Sequence, residues 1–145
     1  MARPKDYREL IVWQKAMALA RFAYAQTAGL PKNEAYGLLM QMRRAAISIP
    51  SNIAEGHGRL TDLQFRHFLG NARGSLYELR TQFELAGDLG YLDPQQVRKL
   101  MEQSAEVTRL LNGLIGSLRS RKEGGPDTSS ASAANSASSA IKGIQ

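Results

Sequence analysis

Apolar residues recur every three or four positions along four long segments, and this spacing constrains the fold more than any other feature of the chain. Such residues form one face of an α-helix, because the helix has 3.6 residues per turn. No segment shows the alternation or the β-branched clusters typical of strands. Four amphipathic helices joined by short turns close most simply as a bundle. The sequence therefore predicts an all-α protein, an antiparallel up-down-up-down four-helix bundle.

Each segment also begins with residues that favour a helix start. Asp6 with Glu9 and Thr61 with Gln64 have the spacing of a capping box, in which the two residues bond each other's backbone N–H groups. Asp93 precedes a proline at the first helical position. The predicted helices start at Asp6, near Asn33, at Thr61 and at Asp93. The predicted apolar stripes are Leu10, Trp13, Met17, Ala20 and Tyr24; Ala35, Leu38, Met42, Ala45, Ile49 and Ile53; Phe65, Phe68, Ala72, Leu76, Leu79, Phe83 and Ala86; and Val97, Met101, Ser104, Val107, Leu111, Leu114 and Leu118.

The composition changes near residue 123, where the chain becomes rich in Ser, Ala and Gly and has no aromatic residue. Such a segment buries too little apolar surface to offset the entropy lost on ordering. We therefore expect residues 1–122 to form the bundle and residues 123–145 to be a disordered C-terminal tail. No apolar run approaches the roughly 20 residues of a membrane span. The expected location is cytoplasmic, without membrane contact.

The residue types that support catalysis are scarce, and the sequence predicts a protein that is not an enzyme. There is no cysteine, which excludes disulfides and thiolate metal sites. The histidines are His57 and His67, and neither forms the Glu-x-x-His pair of carboxylate metal bundles. Glu55, His57 and Asp62 surround a glycine turn, but a solvated loop histidine is the commoner reading of such a cluster. We expect no catalytic residue, no cofactor and no bound metal.

The most informative charge pattern is an arginine every seventh residue in and before the third helix: Arg59, Arg66, Arg73 and Arg80. Seven steps of 100° return to within 20° of the starting direction, so these side chains form a ridge. Guanidinium groups spaced by about 10 Å match an extended polyanion, and each has a fork of N–H donors for a phosphate. The net charge of +6 agrees with such a partner. Arg43 and Arg44 are candidates to extend the ridge.

Two other interpretations of the arginines stay open at this point. They form a solvated helix face with local pairs such as Arg80 with Glu84, or they form ion pairs between subunits.

Pro50 and the glycines of helix 3 add structural expectations. Pro50 removes a backbone hydrogen bond inside helix 2 and predicts a bend there. Gly70 and Gly74 predict close packing against another backbone, either helix 2 of the same chain or a neighbouring subunit.

Several motifs resemble the family of four-helix-bundle proteins encoded in intervening sequences of bacterial 23S rRNA genes. The family is related to the accessory variability determinant of diversity-generating retroelements. The resemblance covers about residues 6–120 and lies in residues 10–16, 30–31, 34, 36–38, 41–46, 48–56, 65, 68–69, 74–79 and 90–92. The most specific matches are Asn-Ile-Ala-Glu-Gly at residues 52–56 and Gly-Ser-Leu-Tyr-Glu-Leu at residues 74–79.

The resemblance implies a non-enzymatic bundle that assembles into a homopentameric barrel with a basic surface. In the retroelement relatives it implies binding of a reverse transcriptase and of nucleic acid. Candidates for the subunit interface are apolar residues off the main stripes: Leu19, Phe22 and Tyr77. A wide core stripe is the alternative reading of the same residues.

Two functions are therefore predicted. The first is an accessory protein that binds RNA or DNA through backbone phosphates, with Arg43, Arg44, Arg59, Arg66, Arg73 and Arg80 as the contacts. The second is an adaptor that docks on a partner protein without binding nucleic acid, with the arginines in interface ion pairs.

Overall fold

The computed structural model describes residues 3–123, with side chains described as far as Arg119. Four helices account for most of this range: α1 (Ile11–Thr27), α2 (Leu38–His57), α3 (Asp62–Asp88) and α4 (Pro94–Glu123). Helices that follow one another in the chain pack side by side, and α4 packs back onto α1. The predicted four-helix bundle is therefore confirmed. The proposed tail lies outside the described residues except for Glu123, where α4 ends.

The capping residues predicted from the sequence lie at the starts of α3 and α4. The Thr61 hydroxyl accepts from the backbone N–H of Gln64 at 3.1 Å. Asp93 and Gln96 form a complete capping box, in which each side chain accepts from the other's backbone N–H at 2.8 Å. These contacts involve residues three apart, so they form without help from the rest of the fold.

The starts of α1 and α2 lie later than predicted. Asp6 caps a single 3₁₀ turn, Tyr7–Glu9, and the extended backbone at Leu10 separates this turn from α1. A second 3₁₀ turn, Lys32–Glu34, lies where the second helix was expected to begin. The Glu34 carboxylate then accepts from the backbone N–H of Leu38 at 3.2 Å and satisfies the first donor of α2. Asp6 thus caps a short turn, and both long helices begin later in the chain than predicted.

The core contains the predicted stripes of α2, α3 and α4 in large part, but α1 is rotated relative to the prediction. Ala16, Leu19 and Ala23 are fully buried, whereas Tyr24 is 37% exposed and Trp13 only half-buried. The two alanines let α1 approach its neighbours closely, and the larger aromatic rings lie at the edge of that contact. Leu19 is therefore a core residue, as the alternative of a wide core stripe predicted, and it is no longer a candidate for a subunit interface.

Glycine positions in the bundle differ in what surrounds them. At Gly56, near the end of α2, an added Cβ would lie 2.7 Å from the Cβ of Phe68 and 3.3 Å from the Phe65 carbonyl oxygen. The backbones of α2 and α3 therefore lie close together at this point. At Gly70 and Gly74 an added Cβ would meet nothing within 4 Å. The predicted packing of these two glycines against helix 2 was wrong, because they face away from the core.

Pro50 lies inside α2 and is buried, and the helix continues through it to His57. Two neighbouring side chains bond α2 carbonyls in this stretch. Ser48 donates to the Arg44 carbonyl and Asn52 donates to the Ser48 carbonyl, both at 2.8 Å. Neither acceptor is the Ala46 carbonyl, which loses its helical donor at Pro50, so these two bonds do not replace the one that the proline removes.

Arg3, in the N-terminal segment, bonds to residues of the turn between α2 and α3. Arg3 donates to the carbonyl oxygens of His57 and Arg59 and forms a 2.7 Å ion pair with Asp62. Its guanidinium also lies 4.6 Å from the ring centroid of Phe65. Within residues 3–123, no helix is long and apolar enough to cross a membrane.

Candidate nucleic-acid interface

Arg66, Arg73 and Arg80 form one ridge along α3, as the heptad spacing predicted. Each is half-buried, and together they border the side of α3 that packs on α4. The contact of Arg73 with α4 shows that the ridge lies on this side, because its Nη1 donates to the Oδ1 of Asn112 on α4 at 2.8 Å. By the rise of an α-helix, the ridge spans about 21 Å from Arg66 to Arg80. We call these three residues the arginine ridge.

The arginine ridge has no carboxylate partner among the side chains that the structure describes. Arg73 bonds a neutral amide, and neither Arg66 nor Arg80 forms an ion pair within that range. The local pair between Arg80 and Glu84 is accordingly not formed. The Nε of Arg66 is buried and has no hydrogen-bond partner within the described residues. Three positive charges therefore stay uncompensated along one flank.

The charge of α3 changes sign beyond Arg80. Glu84 and Asp88 are exposed on the last turns of the helix and line a small groove with Arg98 of α4. The arginine ridge thus ends at an acidic patch. A polyanion that follows the ridge is attracted over its length and repelled at this end.

Arg59 does not continue the ridge, contrary to the sequence-based expectation. Its guanidinium lies 4.6 Å from the ring centroid of Phe68 and pairs with Glu55 at 2.9 Å. Phe68 projects from the α2 side of α3, whereas the ridge projects from the α4 side. The turn between the helices redirects Arg59, and a seven-residue spacing has no meaning once the helix is interrupted.

Arg43 has a structural role that the sequence did not reveal. Its Nε donates to the Thr27 hydroxyl at 3.2 Å and its Nη2 to the Tyr24 carbonyl at 3.1 Å. The same guanidinium lies 4.5 Å from the ring centroid of Tyr24. Arg43 therefore closes the C-terminal end of α1, where carbonyl groups lack helical partners. Arg44 is exposed on α2, whereas the arginine ridge lies on the α4 side of α3, so neither residue extends it.

His57 and His67 contact different residues. His57 contacts the Pro4 carbonyl through Nε2 and packs edge-on against Phe65. His67 is exposed and packs edge-on against Phe68. No cluster of three or more His, Asp or Glu side chains within the described residues is arranged to hold a metal ion.

A groove between α1 and α2 was not anticipated. It has a volume of about 610 Å³, and its walls are mainly apolar. We call it the aromatic groove, lined by Tyr7, Trp13, Met17, Ala20, Arg21, Tyr24, Ile47, Pro50, Ser51 and Ala54. The predicted stripe of α1 contained Trp13, Met17 and Tyr24, so the sequence signal was present but was assigned to the core.

Contacts elsewhere in the fold shift the pKa of Tyr91 and that of Asp6. The Tyr91 hydroxyl donates to the Glu34 carboxylate at 2.9 Å. This hydrogen bond raises the pKa of Tyr91, and burial and the negative charge of Glu34 act in the same direction. Hydrogen bonds from the side chain and backbone of Arg8 lower the pKa of the Asp6 carboxyl. The first contact ties the α3–α4 turn to the start of α2, and the second fixes the 3₁₀ turn before α1.

Comparison with known proteins gives a family and a fold. The chain is similar to a protein of unknown function of the S23 ribosomal protein family from Bacteroides thetaiotaomicron VPI-5482, whose crystal structure was determined at 1.70 Å resolution. The two are 23% identical with a TM-score of 0.65, over 72% of this chain and 98% of that one. No curated protein matches. The profile of the 23S rRNA-intervening sequence protein family matches residues 8–113, so the chain belongs to that family.

Proposed function

We propose that this protein is a non-enzymatic accessory protein that binds RNA or DNA through backbone phosphates along the arginine ridge. The observation that carries the proposal is the lack of a carboxylate partner for Arg66, Arg73 and Arg80 among the described side chains. A cation already paired within the protein gains little from a phosphate. An unpaired guanidinium gains a charge-assisted, forked hydrogen bond.

The chemistry of the ridge favours backbone contact over base readout. Its three guanidinium groups follow one helix flank at intervals of about 10 Å, and the half-buried stems hold them close to the surface. Phosphate contacts of this kind position a nucleic acid without reading its sequence. We therefore expect binding that depends on salt and varies little between sequences of equal length.

We further propose that the protein acts as a homo-oligomer, with a pentamer as the expected form. Five copies of the ridge would engage a long polyanion together, and multivalent contact strengthens binding without any new interaction within a subunit. A reverse transcriptase partner stays a prediction that rests on the sequence resemblance alone.

The test is a salt titration with a variant that carries Arg66→Ala, Arg73→Ala and Arg80→Ala. Binding to a fluorescent single-stranded RNA and to a duplex DNA of mixed sequence is measured by anisotropy at several KCl concentrations. Each lost phosphate contact lowers the slope of log affinity against log salt by about 0.7–0.9, so the triple variant should lose about 2–3.

The matched control removes the same charge elsewhere, with Lys5→Ala, Lys32→Ala and Lys99→Ala at exposed positions off the ridge. This control separates a local contact from a general effect of net charge. Equal slopes for the two triple variants would refute the ridge as the binding site. If the ridge variant dissociates the oligomer and nucleic-acid binding is absent in the unaltered protein, the adaptor function is favoured instead.

A further inference from the structure

Tyr77 is an exposed aromatic side chain of α3 that lies beside the arginine ridge. It is 46% exposed, and it follows Arg73 by one helical turn and precedes Arg80 by one. The phenylalanines of α3 are buried or, at Phe68, packed against Arg59 on the α2 side. Within α3, the ring of Tyr77 is therefore the aromatic surface that borders the cations of the ridge.

The ring of Tyr77 is not covered by another aromatic ring or by a guanidinium within the described residues. By contrast, Arg43 lies over the ring of the exposed Tyr24, at 4.5 Å from its centroid. An aromatic ring offers a negative face to flat or cationic groups. At Tyr77 this face is left for a ligand from solution.

Two glycines keep the space next to this ring open. Side chains of a helix lean toward its N-terminus, so the Tyr77 ring projects over the preceding turn, which contains Gly74. A Cβ added at Gly74 would meet nothing within 4 Å, and the same is true of Gly70 one turn earlier. A flat ligand can therefore approach the ring from this side without meeting a side chain at either position.

The charges nearest to Tyr77 along its side of α3 are positive. Arg73 and Arg80 lie within about 60° of Tyr77 around the helix. Neither has a carboxylate partner among the side chains that the structure describes. Glu78 follows in the chain, but it projects about 100° further around the helix, where its carboxylate accepts from Gln82 at 3.4 Å. Tyr77 thus lies between two cations that attract phosphate.

We propose that Tyr77 stacks on a nucleobase, and that the arginine ridge consequently binds single-stranded nucleic acid in preference to a duplex. When phosphates of a single strand lie on the ridge, the adjoining bases are unpaired and one of them can stack on the ring. In a duplex the bases are paired and stacked on each other, so their faces do not reach Tyr77. The inference rests on the proposed function, because it requires the phosphate contacts of the ridge.

Stacking of this kind selects strandedness and not sequence. Every base has a π-face, so an aromatic side chain accepts each of them. The inference therefore agrees with the small sequence dependence expected from phosphate contacts. It adds a second, uncharged contribution to affinity, which differs from the contribution of the arginines in its response to salt. Loss of a stacked base changes no counterion release, whereas loss of a phosphate contact does.

The test compares Tyr77→Leu, which removes the ring but keeps an apolar side chain, with Tyr77→Phe, which keeps the ring. Tyr36→Leu is the matched control, since Tyr36 is 88% exposed and lies before α2. Binding is measured by anisotropy with three fluorescent DNA probes of equal length. They are a single strand of mixed sequence, the same sequence as a duplex, and an abasic strand that has the phosphates without bases. Circular dichroism and light scattering compare the fold and mass of each variant with those of the unaltered protein.

We expect Tyr77→Leu to bind the mixed-sequence single strand at least about fivefold more weakly than the unaltered protein does. Its affinity for the duplex and for the abasic strand should not change, because neither presents a base face to the ring. Its slope of log affinity against log salt should also stay the same. Tyr77→Phe and Tyr36→Leu should bind all three probes as the unaltered protein does.

A tryptophan variant detects the stacked base directly. Trp13→Phe removes the single tryptophan of the chain, and Tyr77→Trp then places an indole ring at the proposed site. Stacking on a base quenches the emission of tryptophan. The mixed-sequence single strand should therefore quench this variant, whereas the abasic strand at the same degree of saturation should not.

The other outcomes overturn the inference in distinguishable ways. Equal affinities of Tyr77→Leu and the unaltered protein for the single strand show that no base stacks on Tyr77. An equal loss with all three probes shows that the ring supports the ridge and contacts no base. A lower mass of Tyr77→Leu shows that the residue belongs to a subunit contact. None of these results affects the salt titration of the arginine ridge, whereas an unaltered protein that binds no probe refutes the proposed function and this inference together.

Discussion

The sharpest test of the packing compares two glycine-to-alanine substitutions in helices, Gly74→Ala and Gly56→Ala. Both add one methyl group, and alanine is favoured over glycine in a helix interior by about 1 kcal/mol. At Gly74 the added Cβ meets nothing within 4 Å. We therefore expect Gly74→Ala to raise the free energy of unfolding by about 1 kcal/mol, which corresponds to roughly 3 °C in Tm for a protein of this size.

At Gly56 the same methyl group meets atoms that cannot move aside. It would lie 2.7 Å from the Cβ of Phe68 and 3.0 Å from Cδ1 of the Phe65 ring. The Phe68 Cβ is bonded to the backbone, so α2 and α3 would have to separate. Overpacking of a tight core costs about 1–3 kcal/mol. The helix preference for alanine is common to both variants, so Gly56→Ala should be less stable than Gly74→Ala by about this amount.

The measurement is guanidinium unfolding followed by far-UV circular dichroism. Each variant is unfolded at a low and a high protein concentration, so that any contribution of subunit association is detected. Equal stabilities for the two variants would refute the close approach of α2 to α3 at Gly56. A loss of stability in Gly74→Ala at low concentration would contradict the open space on α3.

Two further predictions concern side chains whose roles the structure identifies. Arg43→Met should lower the free energy of unfolding by about 1–2 kcal/mol, because it loses the hydrogen bonds to Thr27 and to the Tyr24 carbonyl. Arg44→Met should change the free energy of unfolding by less than about 0.5 kcal/mol in the same assay. Equal effects of the two substitutions would contradict the role of Arg43 in capping the C-terminal end of α1. The raised pKa of Tyr91 means that the folded state holds the phenol proton more tightly than the unfolded state does. The contribution of this proton to the free energy of unfolding is therefore present below about pH 10 and is lost as the pH rises through the raised pKa. Tyr91→Phe should accordingly lose less stability between neutral and strongly alkaline pH than the unaltered protein, while Tyr36→Phe, at a residue 88% exposed, should follow the unaltered protein.

Local sequence determined the features of this protein that depend on neighbours in the chain. The caps at Thr61 and Asp93 and the stripes of α2, α3 and α4 were predicted because they involve residues a few positions apart. The arginine ridge was predicted for the same reason, since Arg66, Arg73 and Arg80 lie on one uninterrupted helix. Arg59 lies before the helix start, and there the periodic argument failed.

Tertiary structure decided the choices that the chain leaves open locally. The first helix has two apolar faces, and packing against α2 and α4 selected the one with Ala16 and Ala23, because small side chains permit close approach. The aromatic groove exists because Trp13 and Tyr24 were thereby left at the edge. In the same way, Arg43 closes the end of α1 only because folding brings it there, a contact between residues far apart in sequence that no local pattern encodes.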